Sequence, residues 1–420
     1  MIFSIIIFAI TYLLMLMISR YRTFIALGSA VVFIVSGMLP PNQIVGAIDF
    51  NVLLMIAGSM GLVQLFINSK MPDLLAEIII NKVKNVQMAA VALALFAGII
   101  SAFVDNVATV LMVAPIAIQT CKKLNTNPVP FIIGITVSSN LQGAATLVGD
   151  TTSIMLGSEA GMSFLDFFWY QGKPSIFFAV ELGAIVSALI LAFIFRKEKQ
   201  PITRQQYTTK VTDYVPTGLL IAMLALLIGA SFIENKPEVT NGLICCALLI
   251  IGLIYNAIKY KTKESVLSPI KAIDFQTLGL LLGLFIMIGG ITEQGVIDEA
   301  AKLLARLGNG NEFLLFTIIV WASVIISAFI DNIPYVATML PIISGLGINP
   351  TLLYFGLLSG ATLGGNCTPI GASANITGTA ILRKAGYEVK NKDFFKIGIP
   401  FTLAAVISAY VYLWLVYGSH

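Results

Sequence analysis

Histidine, charge and paired cysteine are what this sequence of 420 residues has least of. Its one histidine is the last residue, His420, which removes histidine from any catalytic dyad, metal cluster or internal proton relay. The four cysteines (Cys121, Cys245, Cys246, Cys367) form no C-x-x-C pair and sit in or beside apolar segments, so they read as small core residues and not as a disulfide framework. Charged residues are only 11% of the chain, less than half the share of about 25% found in soluble domains. With 58% hydrophobic residues and a mean hydropathy of +0.93, the chain cannot hide its apolar surface from water, and its solvent is a lipid bilayer. The formal charge of +4 is carried by loop lysines and arginines and is no nucleic-acid signal. No Gly-Lys-Ser/Thr cradle or strand pattern is present, so the glycines are not read as a phosphate cradle; a transporter is expected, with no organic cofactor and no enzymatic activity.

Long apolar runs predict helices near 2–19, 23–39, 50–67, 130–148, 174–195, 215–233, 240–258, 275–292, 351–364 and 398–417. Most approach the roughly 20 residues that a bilayer core requires. The first has Arg20 and Arg22 after it and no positive residue before it, so it reads as a retained helix and not a leader. Two further runs, 87–120 and 312–345, are each broken by an Asp-Asn pair. The arm Ala108–Thr120 after the first break has 13 residues, or about 20 Å of helix. That is short for a crossing, so each run is expected to be a re-entrant hairpin. If both hairpins enter and leave on one side and the N- and C-termini lie outside, 21 of the 25 lysines and arginines become cytoplasmic. Only Lys173, Lys236, Lys302 and Arg306 fall outside, the asymmetry of a multi-pass protein of the cytoplasmic membrane. The stretches 71–84 and 296–307, before the hairpins, read as amphipathic surface helices.

The two halves repeat. Ile48-Asp49-Phe50 returns as Ile273-Asp274-Phe275, Ser101-Ala-Phe-Val-Asp-Asn106 as Ser327-Ala-Phe-Ile-Asp-Asn332, and Asp166-Phe-Phe168 as Asp393-Phe-Phe395. Gly143–Asp150 is matched here with Gly360–Asn366, so Asp150 stands opposite Asn366. That pairing leaves a two-aspartate protease without its second acid. Each half has five crossings and a hairpin, so the second copy enters the membrane inverted. The expected fold is all-α and polytopic, with two inverted repeats, about ten transmembrane helices, two re-entrant hairpins and two interrupted helices. The first repeat is 1–200 (hairpin 87–120, interrupted helix 130–160) and the second 215–420 (hairpin 312–345, interrupted helix 351–382). A cytoplasmic linker, 201–214, joins them.

The tips Asp105-Asn106 and Asp331-Asn332 carry the strongest chemical signal. An acid at the bilayer centre costs roughly 2.5–3.5 kcal/mol even on mild scales, and here one occurs twice at equivalent positions. Carboxylate and amide oxygens, with carbonyls freed by a broken helix, can dehydrate a small cation or take up a proton. Simple helix capping is the alternative. The interrupted helices break at Gly149-Asp150-Thr151-Thr152-Ser153 and at Gly364-Gly365-Asn366-Cys367-Thr368-Pro369, ahead of Gly371-Ala-Ser-Ala-Asn375. Such breaks present backbone groups to a cavity, or else allow a tight helix crossing. The candidate binding set is Asp105, Asn106, Thr109, Asn140, Asp150, Thr151, Thr152, Asp331, Asn332, Asn366, Thr368, Ser373 and Asn375. Asp105, Asn106, Asp331 and Asn332 are the Na⁺ ligands if sodium is the coupling ion, and Glu181 is a candidate proton relay. With no basic residue read within the membrane core, these acids point to ion-coupled antiport.

The strings SAFVDNVATVLMVAPI, SAFIDNIPYVATMLPI and GGNCTPIGASAN resemble the arsenite permease, NhaD sodium–proton antiporter and melanosomal P-protein group of the ion transporter superfamily, which also holds sodium–dicarboxylate and citrate carriers. The resemblance runs from about residue 45 to 417. It implies a scaffold part and a transport part bearing the hairpins, an elevator-like shift, a homodimer, and H⁺ and/or Na⁺ as coupling ion. The usual Gly-Asp-Pro-Pro-Asn of the first break is here Gly149-Asp150-Thr151-Thr152-Ser153, and the Ser-Asn-Thr tips of the dicarboxylate branch are replaced by Asp-Asn. The leading expectation is proton-coupled antiport of Na⁺, Li⁺ or arsenite. The alternatives are symport of a citrate- or dicarboxylate-type anion, and an anion channel.

Overall fold

Polar residues placed just before apolar runs start many of the helices. The computed structural model describes residues 1–202 and 209–419. Ten helices fill the first half: α1 (Ile2–Met17), α2 (Arg22–Val35), α3 (Ile44–Ala47), α4 (Phe50–Asn68), α5 (Met71–Lys82), α6 (Val86–Ser101), α7 (Asn106–Lys123), α8 (Pro128–Gly143), α9 (Thr151–Glu159) and α10 (Ile176–Ile194). A short antiparallel pair, β1 (Trp169–Tyr170) and β2 (Lys173–Pro174), precedes α10. Ten more follow: α11 (Val215–Ser231), α12 (Thr240–Tyr260), α13 (Lys263–Lys271), α14 (Phe275–Glu293), α15 (Val296–Gly308), α16 (Glu312–Ser327), α17 (Asn332–Ser344), α18 (Pro350–Gly364), α19 (Ser373–Lys384) and α20 (Asn391–Tyr417). Asp49, Asn85, Asp105, Asn127, Asp150, Asp274, Asn311, Asp331 and Asn349 each cap the helix they precede through a side-chain oxygen, satisfying amides that a helix start leaves free.

The protein is an all-α polytopic membrane protein. By length and composition α4, α10, α12, α14 and α20 suffice to cross a bilayer singly. The other expected crossings are the shorter α1, α2 and α11 and the broken pairs α8–α9 and α18–α19. Both apolar runs with central Asp-Asn pairs fold back on themselves. The helix α5 touches both α6 and α7, and α15 touches both α16 and α17, so each hairpin starts and ends on one side. The first return arm is longer than the sequence suggested, 18 residues in α7 against 13 in α17. At 1.5 Å per residue α7 spans about 27 Å; Pro115 lies inside it without ending it.

Packing divides the helices into two groups. In one, α4 lies along α12 and α2 along α14. Gly58 lies against Cys245 and Gly61 against Leu249, while Gly279 meets Thr23 and Gly283 meets Ala26, so both pairs run parallel. Asn68, at the end of α4, donates to Ser268 just before α14, and Gln294, just after α14, donates to the Met38 carbonyl ahead of α4; α4 and α14 are therefore antiparallel. In the other group α6 packs on α8, α16 on α18 and α10 on α20. Of the expected linker 201–214, residues 203–208 lie outside the described residues. Its end is anchored by Asp213, which accepts from Val215 N (3.0 Å), Tyr255 (3.2 Å), Tyr260 (3.1 Å) and Lys259 (3.0 Å). Burial pushes this carboxyl up, but these donors and the ammonium outweigh it and hold it below its ordinary range.

Candidate functional site

Each hairpin turns on its Asp because an acid there can start the return arm. Asp105 Oδ1 accepts the amides of Val107 and Ala108, both at 3.0 Å, and Asp331 Oδ1 accepts that of Ile333 at 3.1 Å. Capping uses one oxygen of each carboxylate. Asp105 Oδ2 has no hydrogen-bond or ion-pair partner among the described residues.

The broken helices hold the tips. Thr146 donates to the Ala102 carbonyl, and Thr368 to that of Ala328. A Cβ on Gly149 would meet the Gly143, Ala102 and Ser101 oxygens, and one on Gly371 the Gly365, Ala328 and Ser327 oxygens. Ser153 donates to Gly143 O at 3.0 Å, as Asn375 does to Gly365 O at 3.1 Å. Four structural equivalences therefore pair Thr146 with Thr368, Gly149 with Gly371, Ser153 with Asn375 and Gly143 with Gly365. This corrects the register read from the sequence: Asp150 answers Ala372, the residue preceding α19, and not Asn366. The shared Ala-Thr-Leu, residues 145–147 and 361–363, suggests a match that is slipped by six residues.

A chain of amides joins the halves. Asn106 donates to Asn140 Oδ1 at 3.1 Å, Asn140 donates to Thr362 O at 2.6 Å and to Asn366 Oδ1 at 3.1 Å, and Asn366 donates to Val137 O at 2.9 Å. Asp150 caps α9 through Thr151 N at 2.8 Å and accepts from the Thr152 hydroxyl at 3.0 Å. Around these groups lies a cavity of about 260 Å³. It is lined by Asp105, Asn106, Val107, Asn140, Asp150, Thr151, Asn332, Ile333 and Ser373, and by Met60, Ala272, Asp274 and Thr277 from the other helix group. Three of these residues are acids and none is basic.

The structure thus gathers Asp105, Asn106, Asn140, Asp150, Thr151, Asn332 and Ser373 on one cavity. Thr109, Thr152, Asn366, Thr368 and Asn375 do not line it and are buried in the surrounding packing. Among the described residues, Thr109 Oγ1 and Asn375 Oδ1 have no hydrogen-bond partner. Glu181 lies on α10 beside Gln142 of α8, away from the cavity lining. The expectation of no basic residue near the tips is corrected at Asp331, whose Oδ2 pairs with Arg22 Nη1. Arg22 had been counted as a loop charge, yet it is the first residue of α2 and reaches the tip. Asp274 is a cavity acid that sequence reasoning did not select; its signal was the repeated Ile-Asp-Phe. No three His, Cys, Asp or Glu side chains among the described residues form a metal-holding group. A cation here would be held by carboxylate, amide, hydroxyl and backbone oxygens together, the donor set that hard ions take.

The sequence matches the model of the citrate transporter family over residues 12–347 and again over 242–420. A 46 kDa membrane protein of Mycobacterium leprae is 34% identical over 325 residues, covering 76% of this chain and 74% of that protein. An uncharacterized transporter of Mycobacterium tuberculosis, Rv2684, is 30% identical over 426 residues, covering 98% and 97%. The human P protein is 25% identical over 89% of this chain, which spans about half (54%) of the P protein. In fold, the chain is similar to the YdaH transporter of Alcanivorax borkumensis (TM-score 0.63, 14% identity, 89% and 87% covered). It is also similar to MtrF of Neisseria gonorrhoeae (TM-score 0.55, 16% identity, 87% and 81% covered).

Proposed function

The chain belongs to the citrate transporter family, and we propose that it is an elevator-type carrier exchanging protons for Na⁺, Li⁺ or arsenite, loaded at the first hairpin tip. Membership and the transporter relatives make it a secondary transporter and not an enzyme; the ion and the direction are our reading. One observation carries it: Asp105, Asp150 and Asp274 line one cavity that has no lysine, arginine or histidine among the described residues of its wall. Carboxylates sharing a site of low dielectric cannot all stay charged unless a cation or protons join them. A cation and protons competing for the same oxygens is the chemistry of an exchanger.

Support for the motion comes from the two packing groups and from the antiparallel α4 and α14. We take the first to be the scaffold and the second, with both hairpins, to be the moving part. We divide the chain into inverted repeats 1–200 and 215–420, set both termini outside the cytoplasmic membrane, and take the protein as a scaffold-joined homodimer. Light scattering in detergent tests the last point. A second reading, symport of a citrate-type anion, is favoured by the family description and by the amide chain, with bound cations masking the acids. Uptake of labelled citrate with and without sodium separates the two. Sodium-dependent accumulation would replace exchange by symport, and no accumulation is the expected result.

A further inference from the structure

Asp105 and Asp331 cap their arms alike and differ in what meets the second oxygen. At Asp331 it is the Arg22 guanidinium, in a pair whose side chains are 27% and 19% exposed. Thr23, next to Arg22, donates to Gln276 O at 2.9 Å, so Arg22 and Asp274 stand at the same end of the parallel helices α2 and α14. Tyr12 of α1, which packs on α2 and α14, donates to Pro334 O at 2.7 Å and fastens the second return arm to α1. Among the described residues the second half has no such arginine. Thr23 lies against Gly279 and Ala26 against Gly283, as Gly242 lies against Leu54 and Cys245 against Gly58. These neighbours put Asn241 in the place of Arg22. Asn241 lines a different cavity, of about 640 Å³, together with Asp49, the repeat partner of Asp274.

We propose that Arg22 is a tethered cation for the second tip. Its guanidinium holds at Asp331 the place that an exchangeable cation or proton takes at Asp105, so only the first tip loads a free ion in this conformation. The inference rests on reading the tips as the ion-carrying positions. A guanidinium does not deprotonate in proteins, so Asp331 stays paired while Arg22 is beside it. When the second tip leaves Arg22, its carboxylate requires another cation, which links hairpin movement to ion loading. Asn241 carries no charge, and Lys236 on the same cavity wall donates to the Ala230 carbonyl at 3.0 Å, so the device is built on one face only.

The test uses the full-length protein in detergent. Thermal midpoints are read in choline, sodium and lithium chloride at equal ionic strength, from alkaline to mildly acidic pH. R22Q should unfold earlier than wild type in choline at alkaline pH, since it leaves a partly buried carboxylate unpaired. Sodium, lithium or acid should recover at least half of that loss, R22Q/D331N should recover it with no added ion, and R22K should behave as wild type. If R22Q cannot be purified, a folded R22Q/D331N is the same result. An R22Q with no loss, or with a loss that neither ions, acid nor D331N recovers, would overturn the proposal and leave Arg22 a structural prop. The arms are separable: a wild-type cation response that vanishes in D105N reports on the first tip, and R22Q against R22Q/D331N reports on Arg22 alone.

Discussion

Gly149→Ala tests how the first break grips the first tip. A Cβ at Gly149 would lie 2.6 Å from Gly143 O and 3.0 Å from both Ala102 O and Ser101 O. All three are main-chain oxygens of the hairpin turn or of the end of α8, so no side chain can swing aside. At Gly371 the corresponding distances are 2.6 Å to Gly365 O and 2.8 Å to Ala328 O and Ser327 O. Overpacking of this kind costs about 1–3 kcal/mol, while alanine in place of glycine returns about 0.4–1 kcal/mol by restricting the unfolded chain. At mid-range the clash wins by roughly 1.3 kcal/mol at either position, within a span of about 0–2.6 kcal/mol. Gly218 in α11 has nothing within 4 Å of a Cβ, so Gly218→Ala should be neutral or slightly stabilising. Thermal unfolding of the three variants, with ion-dependent flux in vesicles at matched protein level, makes the comparison. Gly149→Ala should lose more flux than its lowered midpoint explains, because the backbone shift displaces Asp105. If Gly149→Ala and Gly371→Ala matched Gly218→Ala in both midpoint and flux, the breaks would not be pressing on the tips.

Asn140→Ala removes the centre of the amide chain and strands Asn106, Asn366 and the Thr362 carbonyl, all buried. It should cost about 2–4 kcal/mol, checked by chemical or thermal unfolding. Asp274→Asn keeps a capping oxygen but removes one cavity charge, so stability should hold. Apparent ion affinity should fall by roughly tenfold, the equivalent of about 1.4 kcal/mol, in ion-titrated flux. Asp213→Asn should lower the thermal midpoint at neutral pH. The folded carboxyl is depressed, so its stabilisation is present above the unfolded value of about 3.9 and is lost as pH falls through the folded one. The gap between variant and wild type should therefore close in strong acid and stay constant from pH about 5 upward.

Much of this architecture was legible because a bilayer leaves few choices. Apolar runs gave most of the long helices to within a few residues, although α20 begins at Asn391, seven residues before its apolar run, and an Asp-Asn pair inside such a run marked each hairpin turn. Site residues near those breaks followed for the same reason: a polar group there needs a cap or a cavity. What escaped depended on contacts distant along the chain. Arg22 and Asp331 are 309 positions apart, and a lysine-arginine count cannot tell a loop arginine from one that folds back onto a tip. Asp274 carried only the signal of the repeated Ile-Asp-Phe, and it is also the cap of α14. The register of the second break escaped because a shared Ala-Thr-Leu outweighed the true partners, which are Thr146 with Thr368 and Gly149 with Gly371, two residue pairs set apart by variable neighbours.

The most direct test of the account uses the purified protein in liposomes holding a pH-sensitive dye under an imposed proton gradient. Sodium, lithium, arsenite and citrate are added one at a time to wild type and to Asp105→Asn. The account predicts proton movement on addition of one of the first three, and none in Asp105→Asn at equal reconstitution. Silence to all three with a response to citrate, or an undiminished response in Asp105→Asn, would contradict it.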